Sequence, residues 1–223
     1  MSNIRINGLS RIGPHPLIIL SIIYGSLLGD AHAERRLYKN NNELVLGNTR
    51  ISFKQGSPNV QYLLHNWKIF SSYSYCSLEK PKLLKTISKL NKVYYYSRFH
   101  TWTFSSFNYI HDIFYKNNKK ILPSYDILFN IIDSLALATW IMDDGSKNPK
   151  SGLILHTDNF DYNEVLLLCK LLETKFNILA YPRLKNKDKN QWLIYIPKIY
   201  MPLLINIVSK HFSLDMMRKL IDS

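Results

Sequence analysis

Two apolar segments that each end in an aspartate constrain the fold of this chain more than any other feature. The first, IIYGSLLGDAHAE, covers residues 22–34, and the second, LALATWIMDDGS, covers residues 135–146. An apolar run bounded by polar residues predicts a buried helix, over residues 16–30 in the first case and 134–143 in the second. A motif used twice predicts two similar halves within one chain.

Local signals within the two motifs predict how these helices begin, end and pack. Gly25 and Gly29 lie four residues apart on one helix face, which allows another backbone to approach closely. Ser134 is the expected N-cap of the second helix, and Gly145 is expected to end it in a left-handed conformation.

The segments after each motif repeat one order of elements. The predicted elements of the first half are a strand over residues 44–55, a helix over 60–73, strands within 93–104 and a helix over 107–115. Those of the second half are a strand over 152–157, a helix over 161–176 capped by Asp161 and Glu164, strands over 178–184 and 191–196, and helices over 198–211 and 214–221. We therefore predict an α+β fold of two pseudo-symmetric α-β-β-α-β-β-α halves, residues 1–118 and 119–223.

The two motif aspartates, Asp30 and Asp144, are the strongest candidates for chemistry. Each is predicted at the C-terminal end of an apolar helix, where the helix dipole disfavours a negative charge. A cation held between the two carboxylates would remove this penalty, and hard divalent ions such as Mg²⁺ prefer oxygen ligands and bridge to phosphate. Carboxylates that hold such an ion are typical of metal-assisted phosphodiester hydrolysis. The alternative is that both are ordinary helix-end residues.

The two segments resemble the motifs of the LAGLIDADG homing endonucleases, in the class that carries both motifs on a single chain. The resemblance extends to KNNKKILP at residues 116–123 and to MMRKL at residues 216–220. It implies that the two motif helices pack side by side at the interface of the halves. It also implies that Asp30 and Asp144 bind the catalytic metal, and that Lys120 and Lys219 are the basic residues beside each active site.

Two departures from the family pattern lie in the second motif. Thr139 stands where the family often has a glycine, which predicts looser packing there. Asp143 precedes the motif aspartate, and a solvated position or one behind the metal ligands is expected for it. For Lys120 and Lys219, an ammonium near the scissile phosphate would polarise water or stabilise developing charge, and a solvated lysine that contacts only the phosphate backbone is the alternative.

A polyanionic partner is expected from the charge of the chain. The 29 Lys and Arg residues outnumber the 16 Asp and Glu residues, for a formal net charge of +13. The apolar run at residues 17–28 is too short to cross a bilayer. A similar segment at residues 135–146 lies where no secretory signal can be, so both segments are predicted to be buried helices and no membrane partner is expected. Double-stranded DNA is the expected partner.

The DNA-reading surface is predicted on the polar faces of the strands. Residues 48–54 alternate, with Thr49, Ile51 and Phe53 on one face. A two-stranded ribbon fits the major groove, where Arg and Asn read base edges. The residues predicted to face DNA are Asn48, Arg50, Ser52, Lys54, Arg183 and Lys185. Plain solvated strand faces are the alternative for each of them.

Site-specific double-strand cleavage with a staggered cut at a long asymmetric site, as in intron homing, is the function that the resemblance implies. An RNA maturase that binds its own intron RNA and a non-catalytic DNA-binding remnant are the alternatives, and retention of both aspartates favours cleavage. A monomer is expected, because both motifs share one chain. Heavy use of Lys, Asn, Ile and Tyr, which have A/T-rich codons, indicates an organelle genome, a mitochondrion or otherwise a chloroplast.

Overall fold

The computed structural model describes residues 10–40, 43–88, 90–117, 119–148 and 152–220 of the chain. The helices are α1 (Leu17–Leu28), α2 (Val60–Ser72), α3 (Phe107–Phe114), α4 (Tyr125–Ile131), α5 (Ser134–Asp144), α6 (Tyr162–Phe176) and α7 (Met201–Val208). The strands are β1 (His32–Asn40), β2 (Glu43–Gly56), β3 (Leu83–Ile87), β4 (Val93–His100), β5 (Tyr115–Lys116), β6 (Lys119–Lys120), β7 (Gly145–Asn148), β8 (Gly152–His156), β9 (Tyr181–Asn186) and β10 (Gln191–Pro197).

The predicted α+β class and its repeated element order are confirmed. The order α1-β1-β2-α2-β3-β4-α3 is followed, after β5, β6 and α4, by α5-β7-β8-α6-β9-β10-α7. Each series contains a four-stranded antiparallel sheet, with the orders β1-β2-β4-β3 and β7-β8-β10-β9. The two sheets therefore have the same topology.

The described residues divide into two compact units. The first unit comprises residues 10–19 and 31–117, and the second comprises residues 20–30 and 119–220. Most of α1 therefore belongs with the second unit, although it precedes the first sheet in the chain. The predicted boundary residue 118 lies outside the described residues, and the division into 1–118 and 119–223 stays a prediction.

The core of the first unit confirms the alternation predicted for β2. Thr49, Ile51 and Phe53 are buried on one face of the sheet. Phe53 stacks on Phe99 of β4 with ring centroids 4.7 Å apart, and both rings contact Phe70 of α2. The opposite face of β2, which carries the polar residues, stays partly or fully exposed.

The ends of the helices in the second unit follow local chemistry, with two corrections. The capping box predicted for α6 is confirmed, with Asp161 and Glu164 each bonded to the other's backbone N–H. The N-cap of α5 is Asp133 and not Ser134, because the Asp133 side chain accepts from the Ala136 N–H at 2.8 Å. Gly145 is extended, with φ −72° and ψ 140°, and not left-handed, since the chain continues directly into β7.

The last predicted helices are shorter than expected. Residues 198–211 form α7 with the 3₁₀ turns Lys198–Tyr200 and Ser209–His211 at its two ends. The final segment is a 3₁₀ helix over Leu214–Lys219, and residue 221, where its predicted end falls, lies outside the described residues. Among the described residues, no single helix is long and apolar enough to cross a membrane, and only α4 and α5 taken together, bent by 101°, reach the required length and composition.

Candidate active site and nucleic-acid interface

The two motif helices approach each other closely within the second unit, as the glycines predicted. A Cβ added at Gly25 would lie 2.2 Å from the backbone oxygen of Ala136 and 2.8 Å from Cβ of Thr139. A Cβ added at Gly29 would lie 2.6 Å from Cβ of Asp143. Only glycine fits at these two positions without a shift of the neighbouring helix.

Thr139 does not loosen this packing, contrary to the expectation from the motif. Its side chain is buried and lies directly against Gly25, so the glycine of α1 makes the room that a glycine in α5 would otherwise supply. The Thr139 hydroxyl donates to the Leu135 carbonyl at 2.9 Å, which satisfies it within its own helix.

A hydrogen bond fixes the motif helices near their N-terminal ends. The Ser21 hydroxyl of α1 donates to Oδ2 of Asp133 at 2.6 Å, while Oδ1 of the same carboxylate caps α5. One carboxylate therefore joins a helix start to the neighbouring helix. Neither residue was predicted from the sequence, although an aspartate before an apolar run is as good an N-cap signal as the serine at Ser134.

The two motif aspartates differ in exposure. Asp30 is exposed just beyond α1, and Asp144 is partly buried at the last position of α5. Burial, and after it the negative charge of Asp30, raises the pKa of Asp144 to about 7. The positive charges of Lys120 and Lys219 oppose this shift of the pKa. The charges of Asp30, Lys120 and Lys219 therefore all influence the ionisation of Asp144.

Lys120 and Lys219 occupy matching positions at the ends of the two motif helices. The Lys120 ammonium donates to the Gly29 carbonyl at 3.0 Å, one residue before Asp30. The Lys219 ammonium donates to the carbonyls of Met142 at 2.6 Å and Asp143 at 2.9 Å, directly before Asp144. Each lysine therefore satisfies carbonyls that a helix leaves unpaired at its C-terminus and places a positive charge at the negative end of its dipole.

Burial makes both ammonium groups costly to keep charged. It lowers the pKa of Lys120 and of Lys219 from the ordinary value, and the carboxylates of Asp144, Asp143 and Asp30 oppose that shift at both lysines. Because buried charges need partners, the lysines and the aspartates stabilise one another. Lys120 is half-buried, and its role at the scissile phosphate stays a prediction.

Asp143 is buried rather than solvated. Its Oδ2 lies 3.4 Å from the backbone N–H of Asp30, from which it accepts. Asp143 therefore links the end of α5 to the residue that ends the first motif. Among the described residues, no three His, Cys, Asp or Glu side chains converge to hold a metal ion by themselves.

The predicted DNA-facing residues of β2 share the exposed face of the first sheet. Arg50 is held by Glu34 of β1, to which it donates at 2.8 Å and 3.0 Å. Oδ1 of Asn48 accepts from Asn108 at 3.3 Å, and Lys54 lies 4.4 Å from the ring centroid of Tyr96. Ser52 lies between His32 and His100 of the neighbouring strands.

The predicted DNA-facing residues of the second sheet are both on β9. The Arg183 guanidinium is exposed and lies 4.9 Å from the ring centroid of Tyr195 on β10. The Lys185 ammonium is paired with both carboxylate oxygens of Asp158, at 2.7 Å and 2.8 Å. Arg183 lies within the predicted strand, whereas Lys185, which follows the predicted strand end at residue 184, is still part of β9. Contact with DNA stays a prediction for all six residues.

Comparison with known proteins gives this arrangement a context. The model of the LAGLIDADG DNA endonuclease family matches residues 20–204. The cytochrome b mRNA maturase bI2 of Saccharomyces cerevisiae is 40% identical over 217 residues, which is 95% of this chain and 49% of the relative. The chain therefore spans about half the length of that protein.

Two further comparisons cover most of their counterparts. The intron-encoded endonuclease ai4 of Dictyostelium discoideum is 38% identical over 160 residues, 69% of this chain and 97% of the relative. The solved structure of the homing endonuclease I-WcaI bound to its DNA recognition sequence superposes with a TM-score of 0.78 at 27% identity, over 95% of this chain and 89% of that one. The family resemblance predicted from the two motifs is thereby confirmed: the chain belongs to the LAGLIDADG DNA endonuclease family.

Proposed function

We propose that this protein is a site-specific DNA endonuclease that cuts both strands of a long asymmetric site, as in intron homing. The observation that carries the proposal is that Asp30 and Asp144 stand at the ends of two close-packed helices, each helix end held by a half-buried lysine. Membership of the family and the DNA-bound state of I-WcaI support double-stranded DNA as the substrate.

The carboxylates of Asp30 and Asp144 would hold a divalent cation, and we propose Mg²⁺. Burial and like charge make the ionised form of Asp144 costly, and a cation would relieve that cost. A bound divalent ion would supply charge stabilisation for the phosphate and the leaving oxygen. Because no three His, Cys, Asp or Glu side chains among the described residues are placed to hold an ion by themselves, phosphate and water oxygens would complete the coordination.

The lysines act at the reacting phosphate through the N–H donors that are not bonded to helix carbonyls. An ammonium has three N–H donors, and Lys120 uses one of them on Gly29, while Lys219 uses two on Met142 and Asp143. The remaining donors can orient an attacking water or stabilise charge on the phosphate as the P–O bond breaks. One product end then carries a hydroxyl group, and the other carries the phosphate.

The proposal is tested with a randomised duplex library incubated with the protein and Mg²⁺, followed by sequencing of the cut ends. We expect recurrent cut sites with a fixed stagger, and no cutting when EDTA replaces Mg²⁺. Uncut DNA in Mg²⁺, Mn²⁺ and Ca²⁺ alike would favour the non-catalytic alternative. A parallel binding measurement should show affinity that falls steeply with salt, because neutralised phosphates release counterions.

A second candidate function is assistance in splicing the intron that encodes the protein. The name of the S. cerevisiae relative, a cytochrome b mRNA maturase, supports this candidate, and intron RNA would then be a further partner. The same name supports a mitochondrial location, because cytochrome b is typically a mitochondrial gene. Splicing of a precursor RNA by the Asp30→Asn variant would separate the maturase function from cleavage.

We further propose that the protein acts as a monomer, which sedimentation in the presence of DNA would test.

A further inference from the structure

An ion pair on the exposed face of the first sheet involves both a predicted DNA-reading residue and a partner that sequence analysis missed. Glu34 of β1 lies directly opposite Arg50 of β2. Both Nε and Nη2 of Arg50 donate to Oε2 of Glu34, at 3.0 Å and 2.8 Å. The two side chains are 21% and 25% exposed, so the pair remains accessible from the solvent side of the sheet.

The geometry of this pair leaves a defined part of Arg50 for a ligand. A guanidinium presents five N–H donors in one plane. Glu34 takes the edge formed by Nε and Nη2. The other edge, formed by Nη1 and the second proton of Nη2, is the one that matches two adjacent acceptors such as O6 and N7 of guanine.

We propose that Glu34 is a positioning residue that holds Arg50 with this second edge presented to a guanine in the major groove. This inference rests on the proposed DNA-cleaving function and names a specificity determinant within it. A flexible arginine loses side-chain entropy when it binds, and a side chain already held in one plane loses less. Glu34 itself stays beside Arg50 and makes no contact with the base.

The rest of the molecule offers comparisons that single out this pair. Glu34 lies four residues after the motif aspartate Asp30 and is the strand partner of Arg50. The residue four after Asp144 is Asn148, and its strand partner is Gly152. That pair carries no charge, and the predicted DNA-facing residue that a carboxylate holds in the second sheet is instead Lys185, paired with Asp158. A matched ion pair in the first unit is Arg35–Asp112, in which Arg35 also donates to the Gly47 carbonyl and Asp112 is 61% exposed.

The test selects bound duplexes from a randomised library with the parent protein, Glu34→Ala, Glu34→Gln, Arg50→Ala and the double variant Glu34→Ala/Arg50→Ala. The parent should prefer guanine at the position that Arg50→Ala relaxes. We expect Glu34→Ala to lower that preference about tenfold, Glu34→Gln to keep part of it, and the double variant to match Arg50→Ala. Overall affinity should stay equal or rise in Glu34→Ala, because a carboxylate near phosphates has been removed.

Asp112→Ala is the control, since it removes a carboxylate from an arginine that is not proposed to read bases. It should leave the whole preference profile unchanged. The inference is overturned if Glu34→Ala keeps the parental guanine preference, or if it weakens binding to all sequences equally with no change in preference. Failure of the parent protein to bind duplex DNA would instead overturn the proposed function, and this inference with it.

Discussion

The ends of the two motif helices are built alike but differ in electrostatic environment. At the end of α1, Asp30 is exposed, glycine precedes it, and Lys120 donates to one helix carbonyl. At the end of α5, Asp144 is partly buried, Asp143 precedes it, and Lys219 donates to two helix carbonyls. The repeated motif therefore reproduces the backbone arrangement without reproducing the surroundings of the acid.

This difference follows from close packing. Gly29 has no side chain, so Asp143 of the neighbouring helix fills that space and accepts from the Asp30 N–H. The second helix thus brings two carboxylates, and the first brings one. Inequivalent surroundings would suit the proposed cleavage of an asymmetric site, because each DNA strand would then meet a different acid.

The largest effect is expected from removing the charge of either motif aspartate. Asp30→Asn and Asp144→Asn should each lower the rate of double-strand cleavage about 100-fold or more, roughly 2.7 kcal/mol of barrier, because the proposed metal site uses both carboxylates. DNA affinity should hold or rise. The measurement is conversion of a supercoiled plasmid carrying the site to nicked and linear forms in Mg²⁺, with binding followed in Ca²⁺.

The comparison of the two helix ends is sharpened by the products that the aspartate variants leave. Unequal nicking of the two strands by the two variants would show that the halves act semi-independently. Because burial disfavours the charge of Asp144, Asp144→Asn should melt at the same or a higher temperature without metal. Full double-strand cutting by either variant would contradict the shared two-aspartate site.

A smaller loss is expected from Lys120→Met and Lys219→Met. Each removes the donors proposed to act at the phosphate, so cleavage should slow about tenfold or more while binding changes little. Lys219→Met should also lower the melting temperature more than Lys120→Met, since two helix carbonyls lose their donor rather than one. Parental cleavage rates in both variants would show that the lysines serve only the helix ends.

Close packing of the motif helices can be tested apart from catalysis. Gly25→Ala would place a methyl group 2.2 Å from the Ala136 carbonyl oxygen, which should reduce the free energy of unfolding by about 1–3 kcal/mol. Gly56→Ala is the matched control, because its nearest contact is the Cδ of Pro58 at 3.8 Å. Chemical denaturation measures both. Equal stability of the two variants would mean that the helices can separate at Gly25 without cost.

Periodicity made the larger elements predictable. The apolar motif helices, the alternating strand β2 and the capping box of α6 all carry their structure in local patterns. The edge strands β1, β3 and β7 were not predicted individually. Their residues have no clear alternation, and their strand conformation depends on pairing with a neighbour.

The chemistry of the site was only partly visible in the sequence for the same reason. Asp30 and Asp144 stood out because their motifs repeat, but the contacts of Lys120 and Lys219 with helix carbonyls depend on tertiary packing. The Glu34–Arg50 pair depends on strand register, and a register shift between Arg35 and Leu37 makes that register unreadable from alternation alone. Gly145 is extended because it pairs with Leu155, which its local sequence does not encode.

The smallest effects are expected on the sheets, where the two halves again differ. Arg50 is held in one plane by a carboxylate, whereas Arg183 lies over an aromatic ring and is exposed. A cation–π contact is less directional than hydrogen bonds to a carboxylate, so it constrains the Arg183 guanidinium less than Glu34 constrains Arg50. Arg50→Ala should therefore relax one base position by about 1–3 kcal/mol, and Arg183→Ala should relax its own position by less than that.

Selection from a randomised library at two salt concentrations measures both variants together with the salt dependence of binding. If either variant weakens binding equally for all sequences and also lowers the salt dependence, that arginine contacts phosphate rather than a base. Equal losses of base preference in the two variants would show that the carboxylate adds nothing that the ring does not, and would remove the distinction between the two sheets.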